Sequence, residues 1–198
     1  TDGVSSGWRV YACDLWHDGN LAASVTGRGA AMIETANLIL RRPVAADWEA
    51  YRDFALSDRA TTLGGPHTVG RAWRIFASEL GHWDIRGYGM FAVTRKGSDE
   101  ALALIGPWVP EDWPETEVGW MVLSDAAQGT GLAYEAADAT IDHAYHVLGW
   151  QTVVSYIAPE NTRSIRLAER LGAVLDPNAP QPMPDKPCLV YRHPRRAA

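Results

Sequence analysis

The stretch Leu123-Ser124-Asp125-Ala126-Ala127-Gln128-Gly129-Thr130-Gly131-Leu132-Ala133 joins an apolar run to an alanine-rich segment with helical spacing. Glycine at 129 and 131 lets the backbone adopt positive φ and approach a ligand closely, so that successive N–H groups converge on one point. A helix predicted to begin at about Thr130 leaves unpaired N–H donors in its first turn and roughly half a positive charge there. A strand, loop and helix joined in this way suit a diphosphate.

On the C-terminal side of this junction, Ala133, Ala136, Ala137, Ile141, Ala144 and Leu148 share one helical face, while Glu135, Asp138, Asp142 and His146 point away. Residues 152 to 157 read as a strand and residues 162 to 171 as a short helix stopped by Gly172. Strands follow near 173 to 175 and 189 to 192, separated by an extended loop with five prolines between 177 and 187. On the N-terminal side, residues 38 to 42 form a strand closed by Pro43. A helix follows with Asp47 in its first turn and Trp48, Tyr51, Ala55 and Leu56 on its buried stripe. Val69, Ala72, Trp73, Phe76, Leu80 and Trp83 predict a second helix, with both tryptophans expected in the core, the alternative being the wall of an acceptor pocket. Strands near 90 to 94, 101 to 105 and 117 to 123 complete an antiparallel meander, with Lys96-Gly97-Ser98-Asp99 as a tight connection. The order predicts an α+β fold: a central, mostly antiparallel twisted sheet of six to seven strands flanked by about four helices.

The chain has 198 residues, 46% hydrophobic and 21% charged, which suits one well-buried core. A net charge of -6 and a pI near 5.5 argue against a surface built to neutralise nucleic-acid phosphates and favour a cationic partner. Cys13 and Cys188 lack metal-ligand or redox spacing, so a reduced cytoplasmic setting is expected. No apolar run approaches the roughly 20 residues of a membrane helix, and no membrane association is expected. Residues 1 to 31 are rich in Gly, Ser and Ala without periodicity. They are expected to be an N-terminal extension outside a single domain over 32 to 198, the alternative being an arm docked through Trp8, Tyr11, Leu15 and Trp16.

Several separated pieces resemble the GNAT N-acetyltransferases, in the branch similar to the RimJ/RimL-type ribosomal-protein N-terminal acetyltransferases. The family pattern Gln/Arg-x-x-Gly-x-Gly/Ala is met in a closely spaced form, Gln128-Gly129-Thr130-Gly131-Leu132-Ala133. The strand Glu117-Val118-Gly119-Trp120-Met121-Val122-Leu123 and the later Asn161-Thr162-Arg163-Ser164 and Leu171-Gly172-Ala173 also sit where the family has them. The likeness runs from about residue 37 to 193. It implies a sheet splayed in the middle and acetyl-CoA as donor, its pyrophosphate on the N–H groups of Gln128, Gly129, Thr130, Gly131, Leu132 and Ala133. The pantetheine arm would pair with Met121, Val122 and Leu123, where that strand parts from residues 153 to 156. An N–H near Met121 or Val122 would polarise the thioester carbonyl. Asn161 matches the family's asparagine near the pantetheine, with a helix N-cap as its structural alternative.

A lysine-like amine of pKa about 10.4 gives up roughly 4.6 kcal/mol to be neutral at pH 7, so a base is needed. Glu117 is the candidate, directly or through water, against the alternative of a solvated strand-end glutamate. Many relatives protonate the CoA thiolate with a tyrosine on the helix after the asparagine motif. This chain has Ala168 there, and Ser164 is the nearest replacement, although a thiol of pKa about 8.5 also leaves unaided. Residues 110 to 117 carry four carboxylates around Trp113. They are expected to attract a cationic acceptor, with Trp108 and Trp113 adding cation–π contacts, unless the loop is simply a solvated connection. His143 and His146 have no third ligand nearby in sequence, so no metal is expected. The expected activity is direct transfer from acetyl-CoA to a primary amine: a protein N-terminus, a lysine or a small-molecule amine. The alternative is a non-catalytic acyl-CoA sensor or interaction module of the same fold. The resemblance also admits a homodimer.

Overall fold

Eight strands form one sheet in the computed structural model, which describes residues 32 to 183 and 185 to 195. In chain order the elements are β1 (Met32–Glu34), β2 (Leu38–Arg41), α1 (Trp48–Ala55), α2 (Val69–Arg86), β3 (Phe91–Arg95), β4 (Ala103–Trp108) and β5 (Glu117–Val122). Then come α3 (Leu132–His146), β6 (Val154–Ile157), α4 (Thr162–Arg170), β7 (Val174–Leu175) and β8 (Leu189–Arg192). The strands lie in the order β1-β2-β3-β4-β5-β6-β8-β7. Neighbours are antiparallel except β5 and β6, which the α3 crossover makes parallel. The α+β expectation holds. The strand beyond the expected number is β1, whose three residues are too few for alternation to register in sequence. The expected N-terminal extension, residues 1 to 31, lies outside the described residues.

Alternation along β5 sorts its side chains onto two layers. Val118, Trp120 and Val122 pack toward α3, with Leu132, Ala136, Ala137, Ile141 and Ala144. The small residues of α3 bring the helix close to the sheet. Met121 and Leu123 pack on the other face with Tyr51, Phe54, Phe76, Met90 and Leu104, under α1 and α2. Trp73 departs from expectation: it is 59% exposed, because the buried face of α2 runs through Ala72, Phe76, Glu79 and Trp83 and leaves position 73 turned to solvent. Trp83 is core, with its indole N–H donated to the Met90 carbonyl at 2.9 Å. Asp47 is buried and satisfied twice: it accepts from the Val44 N–H and binds Arg41 through both oxygens.

The feature that shapes the site is where β5 and β6 stop pairing. Their register contains one residue pair, Glu117 opposite Val154. The Val154 N–H on the Thr116 carbonyl and the Ser155 hydroxyl on the Val118 carbonyl at 2.6 Å close the apex. Beyond it, β5 continues along β4 and β6 along β8, and a wedge opens between them toward the head of α3. No helix among the described residues is long and apolar enough to cross a membrane.

Candidate active site

At the wide end of the wedge, α3 begins at Leu132 rather than Thr130, with Gly131 as its N-cap at φ +87° and Gly129 at φ +71°. These left-handed conformations favour glycine, and a Cβ at either position would meet nothing within 4 Å. Residues 129 to 131 are exposed, and no carbonyl among the described residues takes the N–H groups of residues 129 to 133. Gln128 is a correction: its N–H is spent on the Asp125 carbonyl at 3.1 Å, so the run of open donors starts at Gly129. Its side chain instead orders the loop. Gln128 Nε2 donates to Asp125 and its Oε1 accepts from Arg163 at 2.5 Å.

Along the wedge, main-chain geometry discriminates among Met121, Val122 and Leu123. The Leu123 N–H is donated to the Leu102 carbonyl, and alternation in the antiparallel ladder then turns the polar groups of Met121 to β4 and those of Val122 to the wedge. The same parity puts the Val118 carbonyl under Ser155. Val122, and not Met121 or Leu123, therefore offers an N–H to the opening. Across the wedge, Asn161 caps α4: its Oδ1 accepts from the Ser164 N–H at 3.1 Å, while its Nδ2 donates to Thr62 at 3.2 Å. The Ser164 hydroxyl accepts from Trp120 Nε1 at 3.0 Å. Ala168 is fully buried among Ile157, Ala173 and Tyr191 and puts no hydroxyl in the wedge.

Glu117 stands at the narrow end and is 8% exposed. Trp113 Nε1 donates to its Oε2 at 2.5 Å, and the Tyr156 backbone N–H donates to the same carboxylate. Burial pushes the carboxyl up to about 7 against the opposite pull of these two donors. The solvated strand-end reading of Glu117 is thereby set aside. A groove of about 360 Å³ lined by Val109, Trp113, Pro114, Glu115, Trp150 and Thr152 reaches Trp113 from solvent.

Arginines supply what the sequence pattern did not reveal. Arg59, in a short helical turn over 58 to 63, donates to the Val122 carbonyl at 2.5 Å and the Leu123 carbonyl at 2.7 Å and pairs with Asp125. Together with Thr62 on Asn161, it straps that turn across both arms of the wedge. Nothing near Arg59 in sequence signals a partner 63 residues away. The acidic loop is partly ion-paired. Glu111 is paired with Arg86 and Glu115 with Arg192, and Trp108 is stacked on His82 at 4.8 Å, so much of the loop's attraction for a cation is already used internally.

The domain model of the acetyltransferase (GNAT) family matches residues 37–174. The chain belongs to that family and is an acetyltransferase of the kind that uses acetyl-CoA. It is similar to the L-2,4-diaminobutyric acid acetyltransferase of Streptomyces coelicolor, 30% identical over 146 residues that cover 71% of this chain and 79% of that protein. Among solved structures, the acetyltransferase from Agrobacterium tumefaciens str. C58 is 36% identical, with a TM-score of 0.78 over 87% of this chain and 99% of its own. RimL, a ribosomal L7/L12 alpha-N-protein acetyltransferase solved in complex with coenzyme A, shares the fold at 16% identity and a TM-score of 0.63, over 82% and 96% of the two chains.

Proposed function

We propose that this chain transfers the acetyl group of acetyl-CoA directly to a primary amine, with Glu117 as general base. The observation that carries the reading is one wedge with opposite chemistry at its two ends: open N–H donors at residues 129 to 133 and a buried carboxyl at the apex. Gly129, Thr130, Gly131, Leu132 and Ala133 would hold the diphosphate, with the dipole of α3 behind them. Arg163 adds a cation beside the loop. Val122 and Asn161 border the path of the pantetheine arm. Bound acetyl-CoA supplies the activated thioester.

The protein's own groups then do three things. Glu117 takes a proton from the arriving ammonium; a carboxyl raised to about 7 is matched to that work near neutrality. The Val122 N–H donates to an oxygen that gains charge. Ser164, whose oxygen accepts from Trp120, still has its own O–H to donate toward the departing sulfur, a stabilisation rather than an obligatory proton transfer. The acceptor reaches Glu117 past Trp113. We place the chain near the RimJ/RimL branch, with an acceptor that is a peptide N-terminus or a small amine. The ribosomal and diaminobutyric acid names of its relatives motivate that range.

CoA thiol release measured against diaminobutyric acid, other small diamines, lysine peptides and free peptide N-termini tests the reading. Turnover with one amine class and formation of its N-acetyl product are expected. Tight acetyl-CoA binding without release for every amine would mean the chain is a sensor of acyl-CoA instead.

A further inference from the structure

The reaction just described uses one buried carboxyl, yet the layer above β5 contains two. Glu79 lies on the buried face of α2, is 3% exposed, and has an Oε2 that no hydrogen-bond donor reaches among the described residues. Glu117 lies below on the same side of the sheet. Its Oε1 is 3.5 Å from where a Cβ on Gly119 would sit, in space that the missing side chain leaves open. The two carboxyls differ in their donors. Glu117 has the Trp113 and Tyr156 N–H groups, which favour its anion, whereas the orphaned Glu79 oxygen has nothing to favour a charge.

The neighbours sharpen this asymmetry. Tyr51 from α1 feels Glu79, while Tyr156 from β6 and Cys188 before β8 feel Glu117, with Glu115 also acting on Tyr156. His82, one turn along α2, is held neutral: its Nε2 accepts from the Val109 N–H, so the proton is on Nδ1, donated to the Tyr88 carbonyl. No lysine or arginine among the described residues acts on either carboxyl. A second negative charge here would have no counter-ion.

We propose that Glu79 is a positioning residue for Glu117: it retains its own proton at neutrality, so that the pair carries one negative charge and that charge is held on Glu117. The proposal rests on the reading of Glu117 as base. With both carboxyls protonated there is no base. With both ionised, an arriving ammonium would be held as an ion pair that resists giving up its proton. With one charge, an ammonium N–H bond breaks, the Glu117 O–H bond forms, the Glu79 proton stays where it is, and the pocket ends neutral. Burial first, and the Glu117 charge second, push the Glu79 carboxyl well above the ordinary carboxylate range, the direction this scheme requires.

The test is a titration of the full chain with ¹³C-labelled glutamate side chains and no ligand, in wild type, Glu79→Gln and Glu117→Gln. In wild type both carboxyl signals are expected to titrate above pH 6, Glu117 before Glu79. In Glu117→Gln the Glu79 midpoint should fall by about one unit, the scale of coupling between interacting sites. In Glu79→Gln a single Glu117 step should remain. A Glu79 signal titrating near the ordinary carboxyl value, or a Glu79 midpoint identical in wild type and Glu117→Gln, overturns the proposal. Should Glu79→Gln fail to fold, wild type and Glu117→Gln alone decide it. The titration needs no turnover, so loss of the coupling and loss of the acetyl-transfer reading are separate outcomes.

Discussion

The two ends of the wedge are built by opposite rules. At the head of α3 the polar groups are donors, exposed, adjacent in sequence and left open by the geometry of a helix start. At the apex the carboxyls are acceptors, buried, and gathered from α2 and β5, with a β6 N–H turned toward one of them. The first end gains its electrostatics from backbone that any sequence with the right glycines can supply. The second gains its own from desolvation, which only packing can impose. On the proposed reading, one gap takes an anionic donor at its mouth and a cationic acceptor at its tip.

The largest effect is expected from reversing the charge at the open end. Gly131→Asp would force a non-glycine residue to φ +87° and set a carboxylate on the donors, so acetyl-CoA binding should be lost from calorimetry. The fold should survive, because a Cβ there meets no atom within 4 Å. Gly131→Ala separates the two causes: it adds backbone strain of about 1 kcal/mol without the charge, so the affinity should fall by at most some fivefold, the limit reached if the free loop relaxes. Next in size is the tip. Glu117→Gln should lower kcat/KM by about 10² to 10⁴ while leaving the acetyl-CoA dissociation constant unchanged. Equal damage to binding in both variants would mean the two ends are not independent.

How far each end could be read from sequence follows from the same contrast. The loop from 123 to 133, the alanine face of α3 and the asparagine cap of α4 are local patterns, and the structure has them within a residue or two of expectation. The parity that singles out Val122, the Arg59 strap and the Glu79 neighbour depend on register and on contacts across tens of residues. Periodicity also misassigned Trp73, since a helix pattern fixes spacing but not the width of the buried stripe, and Ala72 and Phe76 already fill it. The aromatic and acidic loop invited a cationic reading because composition displays charges without their partners. Arg86 and Arg192 come from 25 and 77 residues away.

Glu79 carries the contrast between the two ends into stability. Its carboxyl binds a proton more tightly in the folded chain than in the unfolded one, at about 8 against an ordinary 4.5. The stabilisation this confers is complete below about pH 4.5 and is lost as pH rises toward 8. At about 1.4 kcal/mol per unit, the swing amounts to several kcal/mol. Glu79→Gln has no such proton, so its melting temperature relative to wild type should be more favourable at pH 8.5 than at pH 5. An offset equal at both pH values would mean that Glu79 is solvated in the working protein.

The smallest expected effect belongs to Trp113, which connects the apex to the outer groove. Trp113→Phe keeps a ring against Tyr156, now at 6.3 Å in an edge-on arrangement, but removes the N–H that favours the Glu117 anion. With that donor gone, burial acts with less opposition and the Glu117 midpoint should move above about 7, carrying the acid limb of kcat/KM upward by roughly half a unit. Near pH 7 this is a loss of about twofold that disappears by pH 8.5, because the base is then ionised in both proteins. A loss that persists at pH 8.5 would assign Trp113 to holding the acceptor rather than to tuning the carboxyl. An unmoved limb would leave desolvation alone in control of the apex.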